Sequence, residues 1–403
     1  MHSEFVLLSM LVAASLSAAL PTTVNVSNPF NGPIPSETDY YSSYRGKSAP
    51  FPANYTAPIL PTASGPPGPD DLLFQNLLGA EWAVFSFYQQ AVEALNFTSF
   101  TSIGFPNTTY DRIQEIRDNE AGHLRIFQDS ISNTSIKPGP CSYDFGWSTA
   151  AEFLEMQILI EVSSMAFAAG LVQQAKMNET KGALMGIGET ETRHTTWALI
   201  SVWGVDPFAG PIDTSFPYAN QILDSTNRFI IDGSCPSANP EYPSPSQHLP
   251  QLHAPGQITP GGKLTFVYEA GSNGSQVPSF EEGKIYYAVF FHGLEIISVP
   301  YDVATNSTIF PANLELKGII LAVISDEVDA PTEESVVAGP AFILEQPAIL
   351  AASGLSLAIP NWLIMPFFIH NLVMAFRGPR YSQFPGTGGG ASISASRRVC
   401  ASS

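Results

Sequence analysis

The sequence predicts an all-α four-helix bundle over residues 70–230, followed by a small all-β sandwich of the immunoglobulin-like kind over 245–346. Three observations carry this. Four long stretches, near 70–95, 109–132, 148–177 and 180–203, repeat their apolar residues at helical spacing. Their connections run short, long, short, as two antiparallel hairpins joined by a crossover require. From about residue 245 the apolar pattern changes to strict alternation.

Residues 1–19 read as a signal peptide. An uncharged apolar run from Phe5 to Leu16 precedes the small residues Ser17, Ala18 and Ala19, although Glu4 stands where a basic residue is usual. The run is too short to span a bilayer. Residues 20–69, rich in Pro, Ser and Thr, read as an extended leader. The first helix opens on Asp70 and Asp71 and carries its stripe on Phe74, Leu77, Leu78, Phe85 and Tyr88. The second has Ile113, Ile116, Phe127 and Ile131. The third has Leu154, Ile158, Met165 and Val172 but is apolar nearly all round. The fourth has Leu184, Ile187, Ala198 and Val202. A shorter fifth helix is expected over 217–229. The crossover between the second and third helices, about 16 residues at ~3.3 Å each, is long enough to run the length of a bundle.

In the second half, "KLTFVYEA" (263–270), "KIYYAVFFHGLEIISVPYD" (284–302), "GIILAVISDE" (318–327) and "VVAGPAFILE" (336–345) read as strands between turn residues. With no charged cluster of its own, this part reads as a binding or spacer module. Residues 347–376 carry no charge, and a Ser/Gly-rich tail follows to 403. The length suffices for a membrane span. Pro360, Asn361, Pro366, His370 and Asn371 interrupt it, so packing on the domains is favoured over a membrane contact.

Seventeen basic residues stand against 36 acidic ones, a net charge of −19, which excludes a nucleic-acid partner. Eight Asn-x-Ser/Thr sequons, at Asn25, Asn54, Asn96, Asn107, Asn133, Asn178, Asn273 and Asn306, agree with the signal-like start and point to a secreted glycoprotein, extracellular or at the cell surface. In that oxidising setting Cys141 and Cys235 are the expected disulfide, leaving Cys400 in the tail.

The bundle stripes contain residues that a core rejects. Glu120 and His123, three apart, share the inward face of the second helix; Glu191 and His194 repeat the arrangement on the fourth. These are the only two histidines in the helical region. A single buried Glu–His pair is ordinarily a satisfied hydrogen bond, but Glu-x-x-His twice on a bundle is what a dinuclear carboxylate site uses. Such a site needs one further Glu from each remaining helix. On the first, Glu81 lies within the stripe, whereas Glu93 is roughly 120° away around the helix. On the third, Glu161 is central and Glu155 competes with it. Mixed oxygen and nitrogen donors suit two iron or manganese ions. Gly79, Gly186 and Gly188 interrupt the helices, either to admit a small oxidant or to let helices approach. Tyr88 is either a redox neighbour or a core aromatic.

The stretches "NLLGAEWAVFSFYQQAVEAL", "EIRDNEAGHLRIFQ", "ILIEVSSMAFAAG" and "GETETRHTTWAL" together resemble the secreted ferritin-like proteins of fungi. That group covers stress-response and sexual-development proteins and is related to plant desiccation-related proteins. The resemblance implies a ferritin-like bundle in an extracellular protein with a role in stress or development. It also implies that Glu81, Glu120, His123, Glu161, Glu191 and His194 match the di-metal ligand pattern one for one. Two functions follow as expectations. The first is a di-iron or di-manganese protein acting on dioxygen, peroxide or a small-molecule substrate, ferroxidase-like or catalase-like. The second is a non-enzymatic surface or wall glycoprotein with a vestigial metal site, whose partner is a cell-wall polysaccharide or a protein.

Overall fold

The computed structural model describes residues 57–344, apart from residues 209, 257 and 270–276. The signal peptide, most of the leader, Asn25, Asn54, Asn273, Cys400 and the stretch 347–403 lie outside the described residues.

The four long helices are α1 (Asp71–Ala94), α3 (Thr109–Ser130), α4 (Ala150–Gln174) and α5 (Asn178–Ala198), which runs on into one wide π turn, Leu199–Trp203. Two short helices supplement them: α2 (Phe97–Thr101) between α1 and α3, and α6 (Ala219–Ser225), which with a 3-10 turn fills the expected fifth helix. Thr149 and Glu152 form a capping box that starts α4, and Asn96 and Ser99 form another at α2.

Asp70 and Asp71 do more than begin α1. Asp70 accepts from the backbone N–H groups of Lys176 and Met177, in the turn between α4 and α5. Asp71 accepts from the backbone and hydroxyl of Ser132, just past α3, and from Gly68 N. Two adjacent carboxylates therefore hold both helical hairpins at one end of the bundle. The crossover returns from that end to the start of α4, and its Cys141 forms a disulfide with Cys235.

Helix α4 is apolar nearly all round because it is covered nearly all round. α5 packs along it, and α6 and strand β7 (Ile319–Ser325) lie against it. At Gly170 a Cβ would come 1.9 Å from the carbonyl oxygen of Phe216, so the segment entering α6 crosses α4 where only glycine fits.

The remaining strands are β1 (Gln251–His253), β2 (Lys263–Thr265), β3 (Val267–Glu269), β4 (Tyr286–His292), β5 (Glu295–Tyr301), β6 (Ser307–Ile309) and β8 (Val336–Leu344). All pair antiparallel: one four-stranded sheet in the order β5-β4-β7-β8, and two ribbons, β1-β3 and β2-β6. The second layer is thus two ribbons rather than one continuous sheet.

Alternation along β4 and β7 sorts the sheet's faces. Val289, Phe291, Ile319, Leu321 and Val323 join the bundle core. Ala288, Phe290, Ile320, Ala322 and Ile324 pack with Leu252, Leu264 and Phe266 of the ribbon side. Both faces are buried, which the expected spacer role did not anticipate. Phe216 sits edge-on against Phe291 with ring centroids 5.0 Å apart, and Thr214 Oγ1 donates to Ile319 O at 2.6 Å, fastening helices to sheet.

Candidate metal centre

Each long helix brings one or two polar side chains to the middle of the bundle. α1 supplies Glu81, α3 supplies Glu120 and His123, α4 supplies Glu161, and α5 supplies Glu191 and His194; all six are buried. Burial of these groups is possible because each lies on its helix's apolar stripe, between residues such as Leu78, Phe127, Ile158 and Leu184 that fix the packing.

The geometry separates two kinds of carboxylate. Glu120 places Oε2 2.9 Å from His123 Nδ1 and Oε1 3.2 Å from His194 Nδ1. Glu191 likewise places Oε1 3.3 Å from His123 Nδ1 and Oε2 3.5 Å from His194 Nδ1. Both therefore span the two imidazoles. Glu81 reaches His123 alone, at 3.2 Å, and Glu161 reaches His194 alone, at 3.3 Å. One nitrogen of each ring thus faces three carboxylates, although an imidazole nitrogen carries at most one proton.

Hydrogen bonding cannot satisfy this set. Oε1 of Glu81, Oε1 of Glu120 and Oε2 of Glu191 are buried with no hydrogen bond, despite the nearby imidazoles. Donor atoms fall into two groups, Glu81–Glu120–His123 and Glu120–Glu161–Glu191–His194, each within 4.8 Å of one another and sharing Glu120. These clusters can hold metal ions. Four carboxylates carry four negative charges, which two divalent cations would balance in a site where unpaired charge is costly.

The electrostatics of the cluster's own side chains show the same frustration. Burial pushes the Glu81 carboxyl well up, and the charge of Glu120 adds to it. Burial likewise drives Glu161 up to about 8, with His194 opposing and Glu191 assisting. Glu120 and Glu191 are also penalised by burial, but contacts with both imidazoles outweigh this and hold them below the usual carboxylate range. Burial disfavours the charged imidazoles, yet the surrounding carboxylates, Glu120 foremost for His123 and Glu161 for His194, raise both well above their ordinary value. Two protons and two imidazolium charges are a poor substitute for cations.

Around this cluster, Tyr88 donates its hydroxyl to Glu161 Oε1, and burial followed by the Glu161 charge pushes the phenol well up. Gln157, one turn before Glu161 on α4, is fully buried beside the Tyr88 hydroxyl. Sequence reasoning passed over Gln157; the available signal was a polar residue one helical turn from Glu161 on an otherwise apolar helix. The buried Arg117, paired with Asp118 at 2.8 Å and with Gln89 at 3.1 Å, was missed for the same reason. Of the competitors, Glu93 is exposed, and Glu155 is half-buried and outside the cluster, its carboxyl raised to about 7 by burial and then by Glu152. Gly79 is filled by the Tyr242 ring rather than by open space, while Gly186 and Gly188 have nothing within 4 Å of a built Cβ.

The Glu-x-x-His pairs on α3 and α5, each completed by one Glu from α1 or α4, coincide with a family match. Residues 70–201 match the ferritin-like domain. The ferritin-like domain therefore covers all four long helices and every residue of the cluster, while the β region lies outside it. No curated protein matched the chain.

Proposed function

We propose that this is a secreted protein whose ferritin-like domain holds two iron or manganese ions and handles oxidant or iron in a stress or developmental setting. The observation that carries the reading is the pair of shared carboxylates: Glu120 and Glu191 each turn one oxygen toward each imidazole. Bound there, such ions would supply Lewis-acid and one-electron redox chemistry toward dioxygen, peroxide or a small substrate. The chain's own part is to bind and to exclude water. Glu81, Glu120, His123, Glu161, Glu191 and His194 would hold the ions, and Tyr88 orients Glu161. Phe127, 6.5 Å from the His123 ring, and Phe153, 6.0 Å from Tyr88, keep the surroundings apolar.

Secretion is supported by the Cys141–Cys235 disulfide and by the exposure of Asn96, Asn107, Asn133 and Asn178; Asn306 is half-buried. The same exposed sequons favour the second reading, a surface glycoprotein with a vestigial site. Elemental analysis separates the two. After reconstitution, the wild type is expected to retain about two iron or manganese ions per chain, and Glu120→Ala with Glu191→Ala to retain none. Equal, low metal in both proteins would leave the glycoprotein reading standing.

A further inference from the structure

Outside the Glu/His cluster, a cavity of about 280 Å³ opens between α1, the crossover and the segment 227–248. Gln75 and Gly79 contribute the α1 wall, and Gly79 lies about 200° around the helix from Glu81, so the cavity faces away from the bundle interior. The Tyr242 ring packs onto Gly79, where a Cβ would meet it at 2.6 Å, and its hydroxyl pairs with Thr226 at 2.9 Å. The disulfide fixes the adjoining wall.

The polar groups on this lining are unbalanced. Gln75 uses its amide nitrogen on Ile136 O. Asn227 uses its own on Asp224 and on Tyr242 O. Each keeps its carbonyl oxygen as an acceptor, and Gln75 keeps one N–H besides. Asp232 and Glu241 add carboxylates, the latter 3.5 Å from His248, and among the described residues no Lys or Arg lines the cavity. Tyr143 is buried; its hydroxyl accepts from Cys141 N and has its proton still to donate. The walls therefore offer several acceptors, two negative charges, a few neutral donors on Tyr143, Gln75 and Asn239, and two aromatic rings. Their complement is a ligand rich in donors and positively charged, with a body small enough for the space. A chain with net charge −19 attracts such cations from a distance.

We propose that this cavity binds a small hydroxylated organic ammonium ion of amino-monosaccharide size. Its ammonium pairs with Asp232 and Glu241, its hydroxyls donate to Gln75 and Asn227, and Tyr143 donates to it in return. The site is independent of the metal reading.

The test is calorimetric titration of the full chain with glucosamine, with glucose as the uncharged comparison. Glucosamine is expected to bind saturably and at least about tenfold tighter than glucose. Asp232→Asn with Glu241→Gln, both exposed positions, is expected to abolish that preference without changing the thermal melt. Tyr143→Phe should weaken both sugars. Absence of saturable heat, equal binding of the two sugars, or unchanged preference in the double variant would overturn the proposal. Glu120→Ala with Glu191→Ala should leave glucosamine binding intact; its loss there would move the ammonium to the metal cluster and also overturn it.

Discussion

Tyr88 on α1 donates its hydroxyl to Glu161 on α4, joining two helices of different hairpins at the edge of the Glu/His cluster. Both groups are fully buried. Tyr88→Phe keeps the ring and removes only the donor, leaving a buried carboxyl oxygen of Glu161 unsatisfied. A loss of about 1–3 kcal/mol in denaturant unfolding of the metal-free protein is expected. An unchanged midpoint would mean that the hydroxyl contributes nothing to holding Glu161.

The metal-free cluster should make stability fall as pH rises. Glu161 holds its proton up to about 8 in the folded state, against an ordinary 4.5, so folding is penalised increasingly between those values. Glu81 acts in the same direction. The imidazoles of His123 and His194, raised well above 6.5, contribute stability that is full below 6.5 and is lost through their folded values. All four shifts have one sign between about pH 6.5 and 8. Chelator-treated protein should therefore melt lower at the alkaline end of that window, and reconstitution with iron or manganese should remove most of the difference. A flat melting profile without metal would contradict this.

The acid side is governed by the other end of the bundle. Burial disfavours charged Asp71, but hydrogen bonds from Ser132, Ser135 and Gly68 outweigh it and lower its value below 3.8; Asp70, held by Lys176, Thr180 and Met177, is lowered likewise. Their contribution is present above 3.8 and is lost as pH falls through the folded values. Asp71→Ala should cost about 1.5–3 kcal/mol at neutral pH. It should also blunt the acid-induced loss seen in the wild type, measured by circular dichroism.

Two glycines provide opposite outcomes. Gly170→Ala drives a methyl against the Phe216 carbonyl and should destabilise by about 1–3 kcal/mol or more. Gly186→Ala, on the open side of α5, should stabilise by about 1 kcal/mol. Thermal melts of the two variants should move in opposite directions.

The four long helices and the four Glu and two His were legible because each sits on a stripe with a fixed period, and a charged residue on such a stripe stands out. Glu161 could be preferred to Glu155 only weakly, since α4 buries both faces and periodicity no longer marks an inside. The short strands β1 and β6 were not legible at three residues each. Arg117 and the clamp by Asp70 and Asp71 depend on partners in other segments, Gln89 for the first and Lys176 and Ser132 for the clamp, which no local pattern encodes. The burial of the sheet on both faces was written in the unbroken apolar run "IILAVIS", which reads equally well as a one-faced strand with apolar exceptions.

That run has a consequence for how the molecule is inherited and handled. Because Phe291, Leu321 and Val323 complete the bundle core beside α4 and Phe216, neither half presents a water-compatible surface without the other. A chain ended near residue 230 would expose this apolar face and aggregate, whereas an ordinary tandem arrangement would survive the cut. Heat should unfold helices and strands in a single cooperative step, and any relative carrying the bundle without the strands must have repainted that side of α4 with polar residues.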